Sequence, residues 1–339
     1  MPLRKRLFSL FAALAVTLAA TAASPRVDPA QLLREAVGAY GKLSYVGQIQ
    51  NVDFGSSHTN AVLFRVEHRA PDLLRRWYLA PESLYGDSII SHGDMEYDVD
   101  VHQRRVVVAR DDAVDDQVAL DDNFDLLLRN YKAILGPNDT VAGRPAFEVL
   151  LVNKYTGETV IRLSLDSTTK LVLQRERFGS TGAVTNQMRF EQIRYTASIP
   201  SQVFDVPGGY RRVKGQNHGL PSNDLARVVR AAGFDARGPR LLPEGFLPVT
   251  GDVTDVQGVR TLHVMYSDGL RTISLFENAR GAAVDMSHYT IHAAKVRNYD
   301  AQYVEDGSTT LLAWQQGSLH FALVGDLTVN ELTRIGASV

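Results

Sequence analysis

The sequence predicts an α+β protein built from two antiparallel sheet domains with helices packed against them. Long stretches carry apolar residues at alternate positions, which is typical of half-buried strands. Short polar turns separate these stretches, so successive strands should run antiparallel. A segment at 206–223 is rich in Gly, Pro, Asn and Arg and lacks an apolar period. We therefore expect domains at 24–205 and 224–339 with a linker between them.

The first 23 residues have the pattern of a secretory signal peptide. A basic start (Arg4, Lys5 and Arg6) precedes an apolar stretch at 7–20 and small residues at 20–24 that suit cleavage. The apolar stretch is short for a bilayer span, so an exported, periplasmic protein without a transmembrane span is favoured over a retained anchor. The absence of Cys excludes disulfides, thiolate metal sites and a lipid-modified N-terminal cysteine.

Elements of the first domain follow from local patterns. Asp28 and Pro29 predict a helix start, with Asp28 as the N-cap. Residues 124–135 have apolar positions at helical spacing and predict a second helix, which Gly136 and Pro137 should end. Period-two patterns between 44 and 110 predict several strands, and further strands are expected at 147–152, 160–166, 171–177 and 188–195.

The second domain should begin with a short helix capped by Ser222 and end with a helix at 330–335. Between these helices, strands are expected at 262–266, 272–277, 310–314 and 319–324. Asp268 and Gly269 predict a tight hairpin turn, to which we assign a structural role.

The chain shows no sequence motif for catalysis, phosphate binding or a resident cofactor. His288 and His292 have the spacing of a helical zinc site, but the residues between them favour a strand, which would separate the imidazoles by about 13 Å. The acidic run at 111–116 is better explained as a solvated loop than as a calcium loop. Glu244 and Glu277 are carboxylates without a recognisable partner. We therefore predict no metal site and no enzyme.

The charge balance also limits the classes of partner. The chain has 36 basic and 38 acidic residues, a formal net charge of −2. Broad electrostatic binding to nucleic acid requires an excess of basic residues, so nucleic acid is not an expected partner.

An ordered set of short motifs runs along both predicted domains. The first domain carries Ser44-Tyr45-Val46-Gly47 and Val141-Ala142-Gly143-Arg144, and the second carries Leu242-Pro243-Glu244-Gly245-Phe246, Ser267-Asp268-Gly269-Leu270 and Ile273-Ser274-Leu275-Phe276-Glu277. This order resembles the RseB/MucB family of periplasmic regulators of the envelope-stress sigma factor. The most specific piece is the Ser-Asp-Gly-Leu turn with the strand that follows it.

The resemblance implies a fold and a function. The first domain would be a curved antiparallel half-barrel over helices, like the lipoprotein carriers LolA and LolB, with an apolar cavity that takes acyl chains. The smaller second domain would be an antiparallel sheet with a helix. Such a protein would act without enzymatic activity in stress signalling, by binding the extracytoplasmic part of a membrane anti-sigma factor and sensing lipid.

The candidate cavity lining consists of large apolar residues in the predicted strands, because a ligand cavity needs more apolar surface than the helices cover. These residues are Val62, Phe64, Val66, Trp77, Leu79, Phe147, Val149, Leu151, Leu163, Leu165 and Phe190. The same residues could instead fill a closed core, and the sequence leaves both arrangements open. A periplasmic lipid or lipoprotein carrier is the alternative function, and a hydrolase with scattered catalytic residues is a third.

Overall fold

A computed structural model describes residues 27–55, 59–110, 124–179, 181–215, 221–256, 258–281, 286, 289–306 and 309–339. The predicted signal peptide, the acidic run at 111–116 and His288 lie outside these residues. The described chain forms two sheets, one of thirteen strands and one of seven, and four α-helices.

The larger sheet takes up the first two thirds of the chain. Its strands are β1 (Tyr45–Phe54), β2 (Thr59–Arg69), β3 (Leu73–Ala80), β4 (Ser88–His92), β5 (Met95–Asp100), β6 (Arg105–Arg110), β7 (Tyr131–Leu135), β8 (Asp139–Val141), β9 (Arg144–Asn153), β10 (Thr159–Asp166), β11 (Val172–Phe178), β12 (Val184–Tyr195) and β13 (Arg211–Lys214). Their order is β13-β6-β5-β4-β3-β2-β1-β12-β11-β10-β9-β7, with β8 also paired to β9. The sheet is open, since β13 and β7 stand at its two ends.

Part of the inner face of this sheet is covered by two helices, α1 (Pro29–Val37) and α2 (Phe124–Asn130). Asp28 caps α1 as predicted, because its side chain accepts a hydrogen bond from the Ala30 N–H at 3.0 Å. Leu33 of α1 and Leu127 of α2 are fully buried in one apolar core with sheet residues such as Phe190. Burial of these apolar stripes holds the helices on the sheet.

The single helix predicted at 124–135 is wrong in its second half. The helix ends at Asn130, and Tyr131–Leu135 form β7, which pairs antiparallel with β9. Apolar residues at 131, 134 and 135 fit a helix period, but pairing with a neighbouring strand satisfies the backbone N–H and C=O groups equally well. The long-range partner decides between the two conformations here.

The segment at 197–210 packs on the outer face of the same sheet. Ile199 and Phe204 form a second apolar core with Ile90, Val99 and Val106 of β4–β6. After these residues, β13 pairs in parallel with β6, so the sheet is not purely antiparallel and part of the expected linker is a sheet strand. An open edge offers unpaired backbone groups, to which a short segment of almost any sequence can bind.

The smaller sheet is antiparallel throughout, in the order β14-β15-β16-β20-β19-β18-β17. Its strands are β14 (Leu247–Val256), β15 (Val259–Ser267), β16 (Thr272–Asn278), β17 (His292–Val296), β18 (Tyr299–Asp306), β19 (Thr309–Gln316) and β20 (Leu319–Gly325). Strands β14, β17 and β18 were not predicted from the sequence. The four strands that it predicted are present.

Two helices, α3 (Leu225–Ala232) and α4 (Val329–Gly336), pack on this sheet. The predicted cap of α3 is wrong by two residues: Asp224 accepts the hydrogen bond from the Arg227 N–H, whereas Ser222 accepts one from the Asp224 N–H. Ser222 also forms an isolated bridge with Gly251 of β14, which holds its backbone outside the helix.

Candidate binding cleft between the two domains

The turn between β15 and β16 joins the two domains. It contains the predicted Asp268-Gly269 hairpin turn, and Gly269 has a φ of +94°, a conformation that favours glycine. A Cβ on Gly269 would clash with the backbone of Leu126 and Leu127 in α2. The turn is therefore pressed directly against the helix of the other domain.

Asp268 is fully buried at this contact, and its carboxylate accepts four hydrogen bonds. Oδ2 accepts from the Tyr131 hydroxyl at 2.6 Å and from Arg271 Nε at 3.0 Å, while Oδ1 accepts from the backbone N–H groups of Leu270 and Arg271. Burial, together with the charge of Asp268, raises the pKa of Tyr131 well above its usual range. Tyr131 thus remains a neutral donor to a charged acceptor, which makes a strong hydrogen bond.

Asn130 makes further links between the domains. Its side-chain amide donates to the carbonyl oxygens of Gly245 and Asp268, both at 2.9 Å, and its Oδ1 accepts from the Tyr155 hydroxyl. A separate ion pair joins Arg177 of β11 to Asp326 after β20, at 2.9 Å. The two domains are thus joined by directional contacts at two places.

A cleft of about 470 Å³ opens beside these contacts. One wall is the hairpin of β9 and β10 with parts of β11 and β12, and the other is formed by 243–244, 270–271, 305, 310, 326–328 and 331. The cleft is acidic: five carboxylates (Glu158, Glu244, Glu305, Asp326 and Glu331) face two guanidinium groups (Arg177 and Arg271), which leaves three negative charges. Both arginines already have carboxylate partners, so the cleft suits a positively charged ligand.

The register shows where the residues predicted to line an apolar cavity lie. Nine of the eleven share the inner face of the large sheet with Ile49, because their strands pair in phase from β2 through β1, β12, β11 and β10 to β9. They are Val62, Phe64, Val66, Phe147, Val149, Leu151, Leu163, Leu165 and Phe190. Trp77 pairs with Arg65 and lies with it on the outer face of the sheet. Leu79 lies at a β-bulge, where the alternation of faces is interrupted.

Most of the inner face is a packed core. Val149, Leu151, Leu165 and Phe190 are fully buried and pack with the residues of α1 and α2. Towards β3 the packing is looser, since Val62, Phe64 and Tyr78 are only half-buried. The side of the sheet near β2 and β3 is therefore the part of the predicted lining that a ligand could reach without displacing a helix.

Three polar side chains on the smaller sheet form a serine–histidine–aspartate contact. His263 Nδ1 lies 3.0 Å from Asp252 Oδ2, and its Nε2 lies 3.0 Å from Ser274 Oγ. Ser274 is inside β16, which pairs with strands on both sides. Its neighbouring N–H groups are used in those ladders, so they do not form the oxyanion site that acyl transfer needs. We interpret the contact as structural.

The described residues contain no cluster of three or more metal-ligating side chains. Within the same residues, no helix has the length and apolar character that crossing a membrane requires.

These features define a class of two-domain protein, in which a large open sheet with helices on one face is locked to a smaller antiparallel sheet domain. The model of the MucB/RseB N-terminal domain matches residues 28–207. The chain belongs to the MucB/RseB family.

Solved structures of MucB share the fold across both domains. The Pseudomonas aeruginosa MucA/MucB complex has a TM-score of 0.62 at 16% identity and covers 92% of this chain and 98% of its own. MucB in complex with MucA(peri) has a TM-score of 0.61 at 17% identity, with the same coverage. MucB alone has a TM-score of 0.54 at 15% identity and covers 92% and 97%. No curated protein matches the chain.

Proposed function

We propose that this protein is an exported, periplasmic and non-enzymatic regulator of envelope-stress signalling that binds the extracytoplasmic part of a membrane anti-sigma factor. The observation that carries the proposal is its membership of the MucB/RseB family together with a fold similar, over both domains, to that of MucB in complex with MucA. The second domain distinguishes this function from that of a simple carrier, which would need only the large sheet.

The interdomain cleft is the site that we propose for the partner segment. Glu158, Glu244 and Glu305 are exposed there and have no ion-pair partner among the described residues. Charges of one sign in a cleft attract and orient a segment of opposite sign. A segment containing Lys or Arg would therefore be favoured, and it would contact both domains at once.

The test is a titration of the mature protein with the extracytoplasmic segment of its cognate anti-sigma factor. We expect a complex at micromolar concentration or below. Glu305→Lys in the cleft should weaken it by about fivefold, equivalent to about 1 kcal/mol for one exposed charge pair. Glu82→Lys is the matched control, because Glu82 is equally exposed but lies beside β3 and outside the cleft.

The outcomes separate the binding function from its location. No complex at micromolar concentration would contradict the proposed function. If Glu82→Lys weakens the complex as much as Glu305→Lys does, the proposed function is still supported but the cleft is not the binding site.

The proposal also includes the sensing of lipid by the larger domain. The incompletely buried apolar surface around Val62 and Phe64, next to Tyr78, supports it, as does the half-barrel shape that the family resemblance implies. A lipid or lipoprotein carrier is the alternative function for the same surface. Native mass spectrometry of protein purified from membranes should detect bound lipid, and added lipid should dissociate the anti-sigma segment. Bound lipid without any anti-sigma complex would favour the carrier, and protein that is consistently empty would contradict both.

A further inference from the structure

A second cavity lies entirely within the smaller domain, on the side where α3 packs against β15. Its volume is about 290 Å³, close to the lower end of the range for small-molecule sites. The walls are mainly apolar and include Leu225, Val229, Leu242, Val264 and Leu275. Val229 is partly exposed and lies at the rim.

Glu277 provides a carboxyl group in this apolar cavity. The residue is only 1% exposed, although it belongs to the cavity lining. Both of its oxygens accept from one donor, the Arg237 backbone N–H, at 2.9 and 3.1 Å. A carboxylate can accept about four hydrogen bonds, so acceptor capacity is left over. Burying such a group costs free energy unless a partner compensates.

The surroundings of Glu277 hold little positive charge. The pKa of its carboxyl is raised to about 7 in all: burial is the main cause and the nearby Asp235 adds to it, while the Arg237 N–H and guanidinium lower the pKa. Tyr266 lines the same cavity, and burial and the charge of Glu277 raise the pKa of its hydroxyl to about 12. Among the described residues, Asp235 and Arg237 are the charged groups that act on Glu277, and Glu277 in turn acts on the Tyr266 hydroxyl.

We propose that this cavity binds a small amphiphile that carries a protonated amine on an apolar body. The ammonium group would donate to Glu277 and to the Tyr266 hydroxyl oxygen, and the apolar body would contact the leucine and valine walls. An ammonium supplies the donors and the positive charge that the buried carboxylate lacks. A carboxylic acid would instead place a second acid beside Glu277, and an uncharged amphiphile would leave the carboxylate uncompensated.

The site is independent of the interdomain cleft. The two cavities share no lining residue. The proposal therefore goes beyond anti-sigma binding, and amine binding and anti-sigma binding can each be refuted without refuting the other.

The test uses two probes of the same length, n-hexylamine and 1-hexanol, titrated by calorimetry into the mature protein at about pH 6 and about pH 8. The amine binds the ionised carboxylate, whose population rises about tenfold over this interval for a pKa of about 7. We expect hexylamine affinity to rise by about tenfold and hexanol affinity to stay unchanged. Changes in the NMR chemical shifts of the backbone amides of Glu277 and Tyr266 should show where the amine binds.

Three variants complete the design. Glu277→Gln keeps the size and one acceptor oxygen, and it should remove the pH dependence and reduce the amine to the affinity of the alcohol. Val229→Trp at the rim should block both probes without disturbing the buried core. Glu82→Gln, at an exposed carboxylate outside both cavities, is the control and should change the binding of neither probe.

Several results would overturn the proposal. Equal affinity of the amine and the alcohol at about pH 8 would do so, as would an unchanged pH dependence in folded Glu277→Gln protein. If the anti-sigma segment displaces hexylamine and Glu277→Gln weakens the anti-sigma complex, then a lysine side chain of the partner occupies the cavity and the small-molecule assignment is wrong.

Discussion

Tyr131→Phe tests whether the two domains are held together by the buried hydrogen bond to Asp268. The substitution removes one hydroxyl and leaves the aromatic ring in place, so no cavity forms. Tyr131 is 1% exposed and Asp268 is fully buried, and their oxygens are 2.6 Å apart. A hydrogen bond to a charged group contributes about 1.5–3 kcal/mol, and we expect a loss of this size.

Tyr155→Phe is the matched control. Its hydroxyl also donates across the same region, to Asn130 Oδ1 at 2.9 Å, but the side chain is about half exposed and the acceptor is neutral. Water can replace this hydrogen bond in the variant. The expected loss is therefore below about 1 kcal/mol.

The chain has two tryptophans, one in each domain, which makes the assay specific. Trp77 lies in β3 of the larger sheet, and Trp314 lies in β19 of the smaller sheet. In Trp77→Phe protein, the fluorescence of Trp314 reports the urea unfolding of the smaller domain. In Trp314→Phe protein, the fluorescence of Trp77 reports that of the larger domain. We expect Tyr131→Phe to lower both midpoints and to separate them, because the domains stabilise each other less. Equal losses for Tyr131→Phe and Tyr155→Phe, or unchanged midpoints, would refute the reasoning.

Further predictions concern the turn, the buried carboxyl and a helix cap. Gly269→Ala should lower the free energy of unfolding, measured by denaturation, by at least about 2 kcal/mol, because it combines a positive φ with a clash against Leu127. Gly258→Ala is the control: its φ is +81° but the space around it is open, so it should cost only about 1 kcal/mol. Equal costs for the two variants would contradict the close approach of the turn to α2. For Glu277, a folded-state pKa of about 7 against an ordinary 4.5 means that its contribution to stability is full below pH 4.5 and is lost as the pH rises through about 7. Comparing stability curves of the wild type and Glu277→Gln should show this loss, on the order of 3 kcal/mol, in the wild type alone, and parallel curves would argue against it. Thr328→Ala should lower stability by about 1 kcal/mol in thermal unfolding, because it removes the capping box of α4. Thr328→Ser keeps a capping hydroxyl and should retain most of the wild-type stability. A serine variant as unstable as the alanine variant would count against the cap.

Local patterns predicted those parts of the fold whose signals lie within a few residues. Asp28 before Pro29 predicted the cap and first residue of α1, and Asp268-Gly269 predicted the turn. The helix predicted through 135 failed because the pairing of β7 with β9 is not a local signal. The linker failed in part for the same reason: nothing in Arg211–Lys214 indicates that an edge of the large sheet lies beside it.

The candidate sites divide in the same way. Alternation correctly grouped Phe64 with Val66, and Val149 with Leu151, on common faces. Trp77 was grouped with them because apolar character alone does not determine which face of a neighbouring strand a residue occupies, and that depends on register. Glu277 had no recognisable partner, because the N–H group that binds it is 40 residues away.

The sequence by itself determined the family, the two sheets of mostly antiparallel strands and the absence of recognisable catalytic motifs, since these depend on composition, alternation and short motifs. Only the tertiary structure decided that helices fill much of the inner face, that an acidic cleft opens beside the interdomain contacts and that Glu277 lines an apolar cavity. The physical reason is distance along the chain. Tyr131 and Asp268 are 137 residues apart, and their hydrogen bond exists only when both sheets and the turn are already in place.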